Sequence, residues 1–176
     1  KFCHHHLPDA TLTAIEINPG VVALRGSFGI PPDSDRLAVV LDDGARYVAH
    51  HPASTDVLMV DGFDARGQPP ELCSTAFYQA CHAALRPGGV LVVNLHADDP
   101  ECEQRLQRLG RVFGGNGVQI LAQEKSNCVV LAARERPVDQ RELRRTGWAH
   151  LLPPALVAAL QGEFAHIGWH AQPLPA

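Results

Sequence analysis

No stretch of this 176-residue chain is apolar for long enough to cross a bilayer, and no secretory leader is visible. No C-x-x-C pair occurs, and the five cysteines (Cys3, Cys73, Cys81, Cys102 and Cys128) are odd in number. Disulfide frameworks and zinc ribbons need paired thiols, so reduced cysteines in a cytoplasmic protein are the expectation. Basic residues total 15 against 19 acids, a net charge of −4. The lack of basic excess argues against nucleic acid or an anionic membrane as a partner. Internal repeats and low-complexity runs are also absent. Cys3-His4-His5-His6 is rich in ligand atoms, but consecutive helical residues point in different directions. No further group is spaced to complete a site, so no metal is expected.

What is present is an ordinary globular composition, 45% hydrophobic and 19% charged. Short β-rich runs alternate with helix-period segments. Strands are predicted over 11–17, 36–44, 56–62 and 90–96, and the last two are continuously apolar, as strands buried on both faces are. Helices are predicted over 20–29, 45–51, 74–85 and 100–113. Ser74 is a plausible cap for the third, and Arg86-Pro87-Gly88-Gly89 breaks it. The runs 117–123 and 127–133 are joined by three residues, which means an antiparallel pair. The pattern is α/β: a doubly wound, mostly parallel sheet with a terminal antiparallel hairpin. The tail from 136 to 176 is expected to form helices near 138–146 and 153–164 and to pack on the same domain.

In such a sheet, ligands bind beyond the carboxyl ends of the strands. The first three strands all end in acid: Glu16, then Asp42-Asp43-Gly44, then Asp61 with Asp64 just beyond. Any one of these fits a turn or a solvated strand end. Four acids at three successive strand ends favour a site, provided the strands are adjacent. A glutamate before Asn18-Pro19 suits a ribose diol, since a carboxylate accepts from two vicinal hydroxyls. Asp43-Gly44 can accept from an exocyclic amine while the glycine lets a flat base approach. Asp61 and Asp64 can hold a cation or take a proton from it. His96, closing the fourth strand, is able to line the acceptor side of the cleft but fits a satisfied strand-edge histidine better, and Asn94 on the same strand end is comparable.

The stretches "AIEINPGVV", "FGIPPDSDRLAVVLDDGARYV" and "DVLMVDGFDARGQPPELCSTAFYQACHAALRPGGVLVVNL" together resemble the spermidine synthase family of polyamine aminopropyltransferases, in particular its bacterial spermidine synthase-like branch. The similarity runs from residue 11 to about 133, with D-G-F-D-x-x-G-x-P and R-P-G-G-V-L-V-x-N-L as its more specific parts. The resemblance implies a Rossmann-like fold of the S-adenosylmethionine-dependent methyltransferase type over residues 1–135. It implies decarboxylated S-adenosylmethionine as donor and a small-molecule amine such as putrescine as acceptor, with no metal. It places Glu16 on the donor ribose, Asp43 and Gly44 at the adenine, Asp61 as the catalytic acid and Asp64 on the amine. Phe63 and Ala65 stand where the family usually has a small hydroxyl residue and a proline. The fold's first βα unit has no counterpart in this chain, which starts at Lys1; either the sequence is part of a longer chain or its donor site is degraded. Two alternatives stay open: a methyltransferase using S-adenosylmethionine itself, and a silent binding or assembly homologue. A homodimer is a further expectation.

Overall fold

The computed structural model describes residues 1–65, 67–121, 127–138, 150, 152–158 and 171–175. Helix α1 (Phe2–His6) leads into strand β1 (Leu12–Glu16), helix α2 (Pro19–Ala23), strand β2 (Leu37–Leu41) and helix α3 (Gly44–His50). Strand β3 (Thr55–Val60), a 3-10 turn at Pro70–Cys73, helix α4 (Thr75–Ala84) and strand β4 (Leu85–His96) follow. Helix α5 (Cys102–Val112) and strands β5 (Gly117–Leu121), β6 (Asn127–Ala133) and β7 (Ala171–Pro173) complete the described elements.

The elements form two sheets. β1 and β2 pair in parallel, with Glu16 opposite Leu41. The second sheet has the order β3-β4-β6-β5-β7. β3 and β4 are parallel, β6 is antiparallel to both β4 and β5, and β7 is antiparallel to β5. β3, β4 and β5 therefore share one direction and β6 is inserted against them. The residues linking β5 to β6, and residues 139–146 of the expected helix at 138–146, lie outside the described residues, while 154–158 are helical. β7 was not expected: it adds a strand from the tail, and Leu174 beyond it is buried over Gly117.

Local chemistry explains most boundaries. Asn18 caps α2 by accepting from Gly20 N–H, and Ser74 caps α4 by accepting from Phe77 N–H. Arg36 ties α1 and the turn after it to the first sheet by donating to the carbonyls of His4, Leu7 and Ala10. Arg86-Pro87-Gly88-Gly89 ends α4 as expected, yet it continues directly as strand. Between the pairs Thr55↔Leu85 and Val57↔Val90 the second strand advances five residues and the first two, so this segment is an insertion inside β4. Gly88 takes φ +76° there, and a Cβ at Gly89 would lie 2.9 Å from the Arg86 carbonyl oxygen.

The core lies on one face. Leu91, Val93 and Leu95 of β4 are fully buried with Phe77, Tyr78 and Cys81 of α4 and Leu106 and Leu109 of α5. The opposite face corrects the expectation from continuous apolar runs. Val90, Val92 and Asn94 are only half-buried, and Val57 and Met59 of β3 are 51% and 64% exposed. On α4 the expected stripe is shifted: Ala76 is exposed and Tyr78 is buried. Arg105, though charged, is 6% exposed; it is ion-paired with Asp99 at 2.8 Å and Glu101 at 3.3 Å, while its Nε has no hydrogen-bond partner among the described residues.

All five cysteines are unpaired. Burial pushes the Cys81 and Cys128 thiols up to about 12 and raises those of Cys73 and Cys102. The thiolate is the reactive form. We expect a chromogenic disulfide reagent at pH 8 to titrate one thiol promptly, the half-buried Cys3, and the other four only after denaturation. Prompt reaction of two or more would contradict the packing of α4 against β4 and β6.

Candidate active site

Glu16 ends β1, and its main-chain carbonyl accepts from Asp42 N–H at 3.1 Å, so the ends of β1 and β2 lie side by side. The Glu16 carboxylate folds back on the chain: Oε1 accepts from Asn18 N–H at 2.7 Å. Asp43 caps α3, its Oδ1 accepting from Ala45 and Arg46 N–H at 2.8 and 3.1 Å. Asp42 pairs with Arg46, whose guanidinium holds the Asp42 carboxyl below the usual carboxylate range. Gly44 opens the same helix, and a Cβ built there would meet nothing within 4 Å. This corner thus has one charge-neutralised acid, two acids whose oxygens brace the backbone, and an open glycine.

Asp61 follows the last residue of β3 at the carboxyl end of the second sheet. Val60 pairs with Val93, which places Asp61 beside Asn94. The Asn94 amide Nδ2 donates to Asp61 Oδ1 at 3.0 Å. Two residues on, the Phe63 ring lies against the His96 imidazole with centroids 4.5 Å apart and planes tilted by 43°. Asp64 and Gly67 then exchange main-chain hydrogen bonds of 2.8 and 3.2 Å across a tight turn, Gly67 at φ +114°. Asp61 and Asp64 are both exposed. The loop returns through buried Gln68 to the turn at Pro70–Cys73, where Arg108 of α5 donates to the Cys73 carbonyl at 3.1 Å.

The structure therefore brings Glu16 together with Asp42 and Asp43, and brings Asp61 together with Asn94. Among the described residues no ladder joins β3 to β1 or β2, so the condition that the strands be adjacent is met for β1 and β2 alone. Asn94 and the Phe63–His96 contact are the features that sequence reasoning undervalued. The parallel register, which ends at Val60↔Val93, supplies the missing signal for Asp61 beside Asn94, and the loop beyond it brings Phe63 against His96. A trough of about 610 Å³ between α4 and α5 is lined by Thr75, Gln79, His82, Arg111 and Val112, and none of the strand-end acids borders it. Among the described residues no cluster of three or more His, Cys, Asp or Glu side chains is arranged to hold a metal, and no helix is long and apolar enough to cross a membrane.

The family model of the spermine/spermidine synthase domain matches residues 13–113. The chain belongs to the spermine/spermidine synthase family. A polyamine aminopropyltransferase of Chromobacterium violaceum is 37% identical over 138 residues, 78% of this chain and 53% of that relative. This family member thus spans about half the length of the curated relatives it matches first. Among solved structures, a probable spermidine synthase from Corynebacterium glutamicum aligns with TM-score 0.69 at 21% identity, covering 85% of this chain and 55% of that one. Human methyltransferase-like protein 13 in complex with SAH aligns with TM-score 0.69 at 23% identity, covering 93% and 75%. These likenesses establish an α/β fold shared by spermidine synthases and methyltransferases.

Proposed function

We propose that this spermine/spermidine synthase family member is the acid-bearing part of an aminopropyltransferase that moves an aminopropyl group from decarboxylated S-adenosylmethionine to a small diamine such as putrescine. The observation that carries the reading is Asp61. It is an exposed carboxylate at the carboxyl end of a parallel strand, fixed by a side-chain amide, inside the family-matched span. A protonated amine has no lone pair and must lose a proton to react. Asp61 takes that proton, directly or through its hydrogen bond, as the nitrogen attacks the methylene beside the sulfonium. The C–N bond forms, the C–S bond breaks, and the sulfonium leaves as the neutral thioether methylthioadenosine. Asp64 holds the distal ammonium and so sets the attack distance. The exposed carboxylates of Asp61 and Asp64 suit a cationic acceptor, and the net charge of −4 is compatible with one in the cytoplasm. Glu16 takes the donor ribose, and Asp43 with Gly44 the adenine.

The test uses the full natural chain with decarboxylated S-adenosylmethionine and a diamine panel, and in parallel with S-adenosylmethionine, nucleoside products being identified by mass. Methylthioadenosine formed only with amine present is the expected result. S-adenosylhomocysteine formed instead makes the protein a methyltransferase, and no product from either donor makes it a silent homologue.

The donor side has its own prediction. In Glu16→Gln the side-chain oxygen that accepts from Asn18 N–H is retained, while the charge facing a ribose diol is lost. Affinity for methylthioadenosine should fall by about 10- to 100-fold, the worth of hydrogen bonds to a charged group, with the melting temperature held. Calorimetric titration reads the first and thermal denaturation the second. Unchanged affinity removes Glu16 from the donor site and leaves it a backbone brace.

A further inference from the structure

Asn94 sits on the half-buried face of β4, among valines, and its amide has an uneven set of partners. Nδ2 donates to Asp61 Oδ1 at 3.0 Å. A carboxylate only accepts, so this contact fixes the amide's orientation and turns Oδ1 the other way. Oδ1 is shielded from solvent and has no hydrogen-bond partner among the described residues. A shielded, unpaired carbonyl disfavours the fold. The leucine that would match asparagine's shape carries no such group, and leucine and valine fill this strand on either side. A residue that breaks the local rule without a packing gain marks a functional position more often than a structural one.

The gain is at Asp61. Its carboxylate is exposed, stands at the root of a loop that begins with Gly62, and would otherwise rotate through several orientations. With Oδ1 held by Asn94, Oδ2 is left to meet an amine from one direction. Orientation of this kind acts on the rate of the bound complex more than on its formation. We infer that Asn94 is a positioning residue, whose side-chain amide sets the Asp61 carboxylate for the incoming amine. The inference rests on the reading of Asp61 as the acid that activates the acceptor.

Two substitutions in the full natural chain separate this from a structural role. Asn94→Asp keeps the shape, loses the donor and sets two carboxylates against each other. Asn94→Leu keeps the bulk and removes both the donor and the unpaired carbonyl. We expect kcat for aminopropyl transfer to fall about 10- to 100-fold in both. The KM for the diamine and the affinity for methylthioadenosine should stay within about threefold of the parent. The melting temperature of Asn94→Leu should match or exceed the parent's. Retained kcat in Asn94→Asp overturns the inference, because shape alone would then suffice. A fall in kcat that tracks a lowered melting temperature in Asn94→Leu also overturns it, since the amide would then be a brace of the sheet. The parent is assayed first. Absence of transfer there overturns the reaction itself, and the inference with it, and is distinct from transfer that survives both substitutions.

Discussion

Asp61→Asn should lose about 10²- to 10⁴-fold in kcat for aminopropyl transfer while keeping donor affinity within about threefold, the range expected for removal of a positioned proton acceptor. The substitution is nearly isosteric. The new amide can turn its oxygen toward Asn94 Nδ2, so the contact that anchors position 61 survives and the fold is unchanged. What is lost is the charge and the basicity. The amine would then arrive protonated at an atom that cannot relieve it. Single-turnover transfer on preformed donor complex measures the chemical step, and titration with methylthioadenosine measures the donor site. Loss of nucleoside affinity with an undiminished chemical step would reassign Asp61 to the donor. Raising the pH supplies free amine, so the deficit of Asp61→Asn should narrow toward the amine's own pKa. A deficit independent of pH would mean that Asp61 only binds.

The α/β order was legible because short, continuously apolar β-rich runs alternate with helix-period segments between Leu12 and Ala133, and because Ser74 carries its capping function in its own side chain. The strand-end acids were legible as a cluster, since a carboxylate after an apolar run is a local feature. Their division of labour was less so. Glu16 and Asp43 each spend an oxygen on nearby backbone N–H groups, a contact decided by loop geometry that sequence spacing does not fix. Asn94 was undervalued for a different reason. It matters through Asp61, 33 residues away, and only a strand register connects them. The Pro-Gly-Gly segment misleads in the same way. Its helix-breaking chemistry is real, but the partner strand β3 accepts the extra residues as an insertion and β4 simply starts earlier. The uneven burial of β3 and β4 is a tertiary property, as the same valines and leucines read alike in sequence whichever face they take.

That unevenness makes Leu95 the residue on which the fold and the candidate site most visibly separate. Leu95 is fully buried, opposite Cys128 on β6, itself fully buried. It is flanked in sequence by Asn94 and His96, whose side chains project from the other face of the pleat. Leu95→Ala should remove about 2–5 kcal/mol of stability, transfer loss plus the cavity left among α4 and α5 side chains that cannot all close in. At about 2–4 °C per kcal/mol for a chain of this size, the melting temperature should drop by roughly 5–15 °C. Val92→Ala, on the half-buried face of the same strand, loses less surface and leaves no enclosed void, so its drop should be clearly the smaller. Activity per folded molecule should survive Leu95→Ala below its transition, because the Asn94–Asp61 contact is made by the backbone register and the opposite face, not by this packing. Equal drops for the two variants would mean that both faces are covered alike. Loss of activity at full folding would mean that the core reaches the site through β4, and that the acid's position depends on packing as much as on its amide.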